Sequence, residues 1–408
     1  MQCTMNSGER QPERCAQTCF AAPLRAAQVH NTIVSMDNRD SQLRVLHVVS
    51  SAELAGTERA LLMLLRAADR AAFSHSVFLP KDGPLGRELQ ELGVRAITAS
   101  SPRRSPAYYL EFARVLQREK PALLHLHAER LHAIPARMLR IPVLERKNLT
   151  RDPDHRTASR SPALDKFANR FVDMTIVPSE FLRRYYLERG LTDPDRIATV
   201  YNGVDLAPFD APHDTDAARA DLGAAQGDIL LLAVGRLEPL KGLDTVIGAL
   251  PAILAAEPRA RLALAGQGPA RADLERLAAD LGVSERVRFT GARNDVPRLL
   301  RAAAVFIHAS HTEALSNAVL EAMAARAPVA ASGIPGNAEV VEHERTGLLF
   351  APRDPAALAA AALRLIREPD LVRRCTRNAR ALIEQNFTPA AMAAGTERIY
   401  RILLGLNP

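Results

Sequence analysis

The chain of 408 residues contains no tryptophan, and aromatic residues make up only 4% of it. Proteins that hold single-stranded nucleic acid stack its bases on aromatic side chains. No readout motif accompanies the chain's positive charge either, so nucleic acid is set aside as a partner. Long apolar runs are missing as well. No stretch approaches the ~18 consecutive apolar residues that a membrane-spanning helix needs. The opening MQCTMNSGERQPERC holds no hydrophobic signal core, so a cytoplasmic protein is expected. Cysteine is scarce, with 4 in the chain. Cys3, Cys15 and Cys19, with His30 beyond them, fit no zinc spacing, and Cys375 falls in a helical stretch.

What is present is ample apolar material, 47% of residues, and a net charge of +7. The positive excess is uneven: residues 103–170 hold 15 basic against 7 acidic side chains. Such a face suits an anionic partner such as a lipid diphosphate or a membrane surface, and also suits plain solvation. Residues 1–42 show no sustained period and are expected to form a disordered tail, with Met36 a candidate translation start.

From Leu43 short apolar runs alternate with helical patterns. LRVLHVV (43–49), HSVFL (75–79), ALLHLH (122–127) and DMTIVP (173–178) read as strands. Helices are expected at 57–68, 85–92, 107–119 and 180–189, the last capped by Ser179. YNGVDLAPFDAPHDTD (201–216) breaks the pattern with turn formers and prolines. The alternation then resumes, with strands at 228–234, 261–266, 286–291, 303–310 and 327–332 and helices at 242–256, 269–282, 294–302 and 316–326. Helical stretches near 354–385 and 389–404 close the chain. The expected fold class is α/β: two Rossmann-like, doubly wound domains facing a central cleft. The boundaries expected are a domain at 43–205, a linker at 206–227, a second domain at 228–385 and, at 386–408, a C-terminal helix that is a candidate to pack back on the first domain.

Three stretches carry chemistry. HTEALSNAVLEAMAARAPV (311–329) places Glu313 before a helix start near Ser316–Asn317 and Glu321 about a turn inside it. The first backbone N–H groups of a helix have no intrahelical partners and attract anions. The residue three beyond Ser316 is Val319, so no capping-box carboxylate occupies them, and the start reads as uncapped. A carboxylate in apolar surroundings must be paired or hydrogen-bonded. Glu321 therefore either accepts from a vicinal diol such as ribose or pairs with a neighbouring arginine. VGRLEPLKG (234–242) brackets a short loop with Arg236 and Lys241, two cations suited to a diphosphate, and Gly235 turns the chain into it. AGQGP (265–269) adds Gly266 and Gly268, which let backbone approach a ligand closely.

Together and in this order these motifs resemble glycosyltransferase family 4, a large family of retaining enzymes with the GT-B fold. The match rests on G-R-x(4)-K-G at 235–242, G-x-G-P at 266–269, V-x-F-x-G at 287–291, E-x(7)-E at 313–321 and GIPGNAEVVEHERTGLL at 333–349. The first half matches more loosely through SSAELAGTERAL (50–61), LHLHAER (124–130) and YNGVD (201–205). The resemblance implies a nucleotide-sugar donor in the second domain. Arg236 and Lys241 would hold its diphosphate, Glu321 its ribose, and backbone around Leu315, Ser316 and Asn317 its sugar and phosphate. Glu313 would face the transferred sugar, as would His127 from the first domain, while His47, His125 and His132 stay structural. Gly56 and Glu58 are lesser members of the same site, because Ala55 stands where the family often has glycine. The implied activity is transfer of a sugar from a UDP- or GDP-linked donor to a glycan or lipid-linked acceptor in cell-envelope polysaccharide, lipopolysaccharide or glycolipid synthesis. It would proceed without cofactor or metal, with peripheral contact to anionic membrane through residues 103–170. A sugar-nucleotide epimerase of the same fold and a non-catalytic nucleotide-sugar-binding protein are the alternatives.

Overall fold

A computed structural model of the chain describes residues 42–127, 130–148, 167 and 169–407. The tail, Met36, Cys3, Cys15, Cys19, His30 and the basic loop from Leu149 to Arg160 lie outside the described residues. Among the described residues thirteen strands build two sheets. The first contains β1 (Leu43–Val48), β2 (Phe73–Leu79), β3 (Arg95–Thr98), β4 (Leu123–Leu126), β5 (Val143–Arg146), β6 (Met174–Val177) and β7 (Ile197–Thr199). The second contains β8 (Ile229–Val234), β9 (Ala260–Ala265), β10 (Val287–Gly291), β11 (Val305–His308), β12 (Val329–Ser332) and β13 (Leu348–Phe350). The strand orders are β3-β2-β1-β4-β5-β6-β7 and β10-β9-β8-β11-β12-β13. Every pairing is parallel. The two doubly wound α/β units are thus present.

Parallel sheets covered on both faces require strands apolar on both sides. In β1, Leu46 and Val48 pack into one core with Phe78, Phe112 and Leu126. The alternate residue Val45 packs into another with Leu123, Ile176 and, from the helix Pro389–Leu403, Tyr400 and Leu403. That last helix therefore lies on the first sheet. His47 and His125 share the parity of Val45 and Leu123, so both project into this layer, where His125 Nδ1 meets Tyr400 OH at 2.7 Å.

Several elements differ from the sequence reading. Strands β3, β5, β7 and β13 fall outside the expected strands: charged side chains interrupt β3 and β5, and β7 and β13 have only three residues each. The stretch 354–385 is two helices, Pro355–Arg367 and Pro369–Asn386, because Pro369 offers no N–H and Glu368 leaves the helical region (φ −110, ψ 78). Residues 206–227, expected as a linker, hold the helices Ala207–Asp210 and Thr215–Asp221. Phe209, Ala218 and Leu222 from this segment are buried in one core with Leu230 and Leu232 of the second sheet. Among the described residues no helix is long and apolar enough to cross a membrane.

Candidate active site

In a doubly wound sheet the ligand crevice opens where the strand order reverses, at the carboxyl ends of the strands. Here those points lie between β1 and β4, and between β8 and β11. Gly235, Arg236 and Lys241 follow β8; Glu313 and the helix Asn317–Ala324 follow β11; His127 follows β4. These residues therefore leave their sheets at the switch points, whereas Gly266 and Gly268 follow the neighbouring β9.

Glu313 is the centre of the second-domain cluster. Its Oε1 accepts from Lys241 Nζ at 2.5 Å and from Ser310 Oγ at 2.9 Å, and lies 3.4 Å from His308 Nε2. Burial pushes this carboxyl up, but His308 and Lys241 together overcome that and hold it at about 2, so it is ionised at neutral pH. His308 Nε2 also lies 3.0 Å from Ser316 Oγ. Ser316 in turn accepts from the backbone N–H of Val319 at 3.3 Å. The helix start is thus capped by its own serine, which corrects the uncapped reading; the N–H groups of Asn317 and Ala318 remain for another acceptor. Leu315 is buried in the second core and holds the turn down.

Glu321 stands apart from that network. Among the described residues its carboxylate has no hydrogen-bond partner, and burial raises it to about 7, with the charge of Arg59 pulling it back down. Arg59 belongs to the helix Gly56–Ala67 of the first domain, so the pair spans the two units. Both sequence readings of Glu321 survive in part: an arginine is near, yet the carboxylate oxygens are unspent. Arg236 is 74% exposed and rests on Glu238 at 2.6 Å, so neither cation of its loop stands alone: one sits on Glu238 and the other on Glu313.

The glycine turns have a cause within the fold itself. A β-carbon on Gly266 would collide with the carbonyl of Gly235, and one on Gly268 with that of Leu237. What approaches these glycines closely is the neighbouring loop itself, which stacks the two β-strand exits on each other. Gly56 begins its helix without a positive φ and with open space where a side chain would be, so no unusual backbone is needed there. Glu58 is buried and turns back to the backbone N–H of Ala55, the N-cap residue, and to its own, the return half of a capping box.

His127 is not solitary. Its Nε2 lies 3.1 Å from His47 Nδ1, and His47 Nε2 lies 2.9 Å from His75 Nδ1. The ring of His125 lies 4.1 Å from that of His127, centroid to centroid. Burial drives all four below the ordinary histidine range, His127 to about 3 and His75 to about 4. Nitrogens of His47, His125 and His127 lie within 4.8 Å of one another, a spread that could surround a metal ion. The guanidinium of Arg146 acts on both His125 and His127, however, and adds positive charge where a cation would sit. The contacts of His47, expected to be structural, and of His75 with His127 depend on strand register. Ser310, His308 and Arg146 carry no local pattern of their own, while Arg59 and Asn202 lie in the quoted stretches 50–61 and 201–205 without their side chains being singled out.

Two family models match the chain: Glycosyltransferase Family 4 over residues 54–208 and Glycosyl transferases group 1 over residues 214–382. Among relatives, a D-inositol 3-phosphate glycosyltransferase of Frankia alni is 38% identical over 220 residues, covering 51% of this chain and 54% of its own. An N-acetyl-alpha-D-glucosaminyl L-malate synthase of Bacillus anthracis is 26% identical over 295 residues, covering 71% of this chain and 77% of its own. The chain spans about half the length of most curated relatives it matches. Its fold matches that of HepE from Anabaena, solved in complex with UDP and glucose, with a TM-score of 0.77 and 24% identity over 88% of this chain and 99% of that one. With one model on each doubly wound half, the chain belongs to glycosyltransferase family 4, the group 1 glycosyltransferases.

Proposed function

We propose that the chain transfers a sugar from a UDP- or GDP-linked donor to an acceptor hydroxyl, with retention of the anomeric configuration and without a metal. The observation that carries this reading is the cluster at the second switch point. An ionised Glu313, Lys241 and two unspent helix N–H groups lie together there, with Glu321 about a turn along the helix. Lys241, Arg236 and the start of the helix Asn317–Ala324 would stabilise the departing diphosphate. Glu321 would accept from two ribose hydroxyls. Glu313, held by Lys241 and Ser310, would orient and stabilise the sugar as positive charge develops on it. The bond from the anomeric carbon to the phosphate oxygen breaks, and the acceptor oxygen bonds on the same face. The acceptor's proton passes to the departing phosphate.

The first domain would bind the acceptor, a glycan or lipid-linked hydroxyl, in cell-envelope synthesis. Its basic stretch, 103–170, would meet an anionic group or the inner membrane surface of the cytoplasm. A thermal-shift panel of UDP, GDP, ADP and their sugars tests the donor reading, since a ligand that binds only the folded state raises its melting temperature. Stabilisation by one nucleotide family supports the reading, and indifference to all of them overturns it. An inverted product in the NMR spectrum would overturn retention alone.

A further inference from the structure

Arg146 closes β5 and is 7% exposed. Burial lowers its pKa to about 10, so it stays charged at neutral pH, yet among the described residues no carboxylate pairs with it. Its Nη2 donates to Asn202 Oδ1 at 2.6 Å and to the carbonyl of Val200 at 3.3 Å. A guanidinium only donates. Asn202 must therefore present its carbonyl to Arg146, and its NH2 group faces the other way. That NH2 donates to Asn317 Oδ1 at 3.0 Å, across from the first domain to the first residue of the helix Asn317–Ala324. Asn317 must then present its own carbonyl to Asn202. Its NH2 group is left unspent at the helix start, beside the free N–H groups of Asn317 and Ala318. One arginine, which cannot accept, thus sets the orientation of two amides in sequence.

Asn202 is also held in place from behind. A β-carbon on the next residue, Gly203, would lie 2.7 Å from Pro389 N and 2.8 Å from Pro389 Cα. The two segments where the chain passes between its sheets touch at this glycine.

We infer that Asn202 is a positioning residue of the donor site: Arg146 orients its amide, and that amide turns the Asn317 NH2 outward as a donor for the anionic group seated on the helix. This rests on the donor-site reading above, and the experiment separates the two. UDP is the probe, in calorimetry, against the full chain and three variants: Asn202→Asp, Asn317→Ala and the double variant. In Asn202→Asp the introduced carboxylate would still accept from Arg146 but could not donate, so Asn317 would turn its NH2 inward. The expected result is a 5- to 10-fold weaker UDP affinity for Asn202→Asp, a similar loss for Asn317→Ala, and no further loss in the double variant. A melting temperature for Asn202→Asp at or above the parent's shows that the fold is kept. Affinity within twofold of the parent, or additive losses, overturns the relay. If the parent binds no UDP, GDP or ADP, the donor-site reading fails. The relay is then decided by the Asn317 side-chain amide in 1H–15N spectra: in Asn202→Asp one of its protons should become protected and shifted, and an unchanged signal overturns the relay.

Discussion

Lys241 Nζ and Glu313 Oε1 are 2.5 Å apart, joining the loop after β8 to the loop after β11. Each is the other's counter-ion, so removing one changes what the other can do. On the proposed roles, Glu313→Gln would free the lysine for phosphate and remove the charge facing the sugar. UDP affinity should be unchanged or tighter, and kcat should fall by about 10²-fold or more, the scale of losing one stabilising group in a transition state. Steady-state turnover together with calorimetric UDP titration checks both. A variant that keeps its turnover removes Glu313 from the chemistry.

In the proposed function Glu321 would give the donor site a pH dependence. The carboxyl protonates at about 7 in the folded chain and near 4.5 when exposed. Ribose hydroxyls donate better to the ionised form, so UDP should bind more tightly as pH rises through 7, and Glu321→Gln should flatten that dependence. For stability the sign is opposite. The folded state holds the proton more firmly, so this group's contribution falls as pH rises from 4.5 to 7 and is constant above. At pH 8 Glu321→Gln should be more stable than the parent by roughly 1–3 kcal/mol, with the gain gone near pH 4.5. Denaturant melts at the two pH values measure it.

Much of this was legible beforehand because it rests on local pattern. Buried parallel strands without interrupting charges show as apolar runs, and the loop residues after β8 and β11 stand in tight motifs. What was hidden depends on distance in sequence. His47 and His75 became neighbours of His127 only once β1 was paired with both β2 and β4. Arg146 reaches Asn202 across 56 residues, and β5, which carries it, ends in Glu145 and Arg146 rather than in an apolar run.

Glu339 also fastens the two units. Its carboxylate accepts from the backbone N–H of Glu180 at 2.6 Å and of Phe181 at 2.9 Å, at the start of the helix Glu180–Glu188. Ser179 already caps Leu182 of that helix, so Glu339 takes the next two donors, with its charge at the positive end of the helix dipole. Glu339→Ala should cost about 1–2 kcal/mol, the scale of a lost helix cap, and should let the two units separate. The melting temperature and the radius of gyration from small-angle scattering test this. A lower melting temperature without a larger radius would confine the role to the helix.

The four neutral histidines make the first domain sensitive to acid. In the unfolded chain each would protonate near 6.5, whereas in the fold His75 waits until about 4 and His127 until about 3, with His47 and His125 also well below the ordinary value. The unfolded chain thus binds more protons between these limits. The stability these groups contribute is whole above pH 6.5 and is lost as pH falls toward 3 to 4. Each can contribute up to about 1.4 kcal/mol per pH unit in that window. Glu321 opposes them with a single proton of the opposite sign, so the net slope near pH 5 should be steeply positive. His75→Phe removes one titrating ring at the half-buried end of the chain and leaves His127 in place. Its denaturation free energy, plotted from pH 7 to 4.5, should have a shallower slope than the parent's by up to one proton. An unchanged slope would mean that His75 carries a proton in the folded state, and that the chain of imidazoles leading to His127 is not neutral.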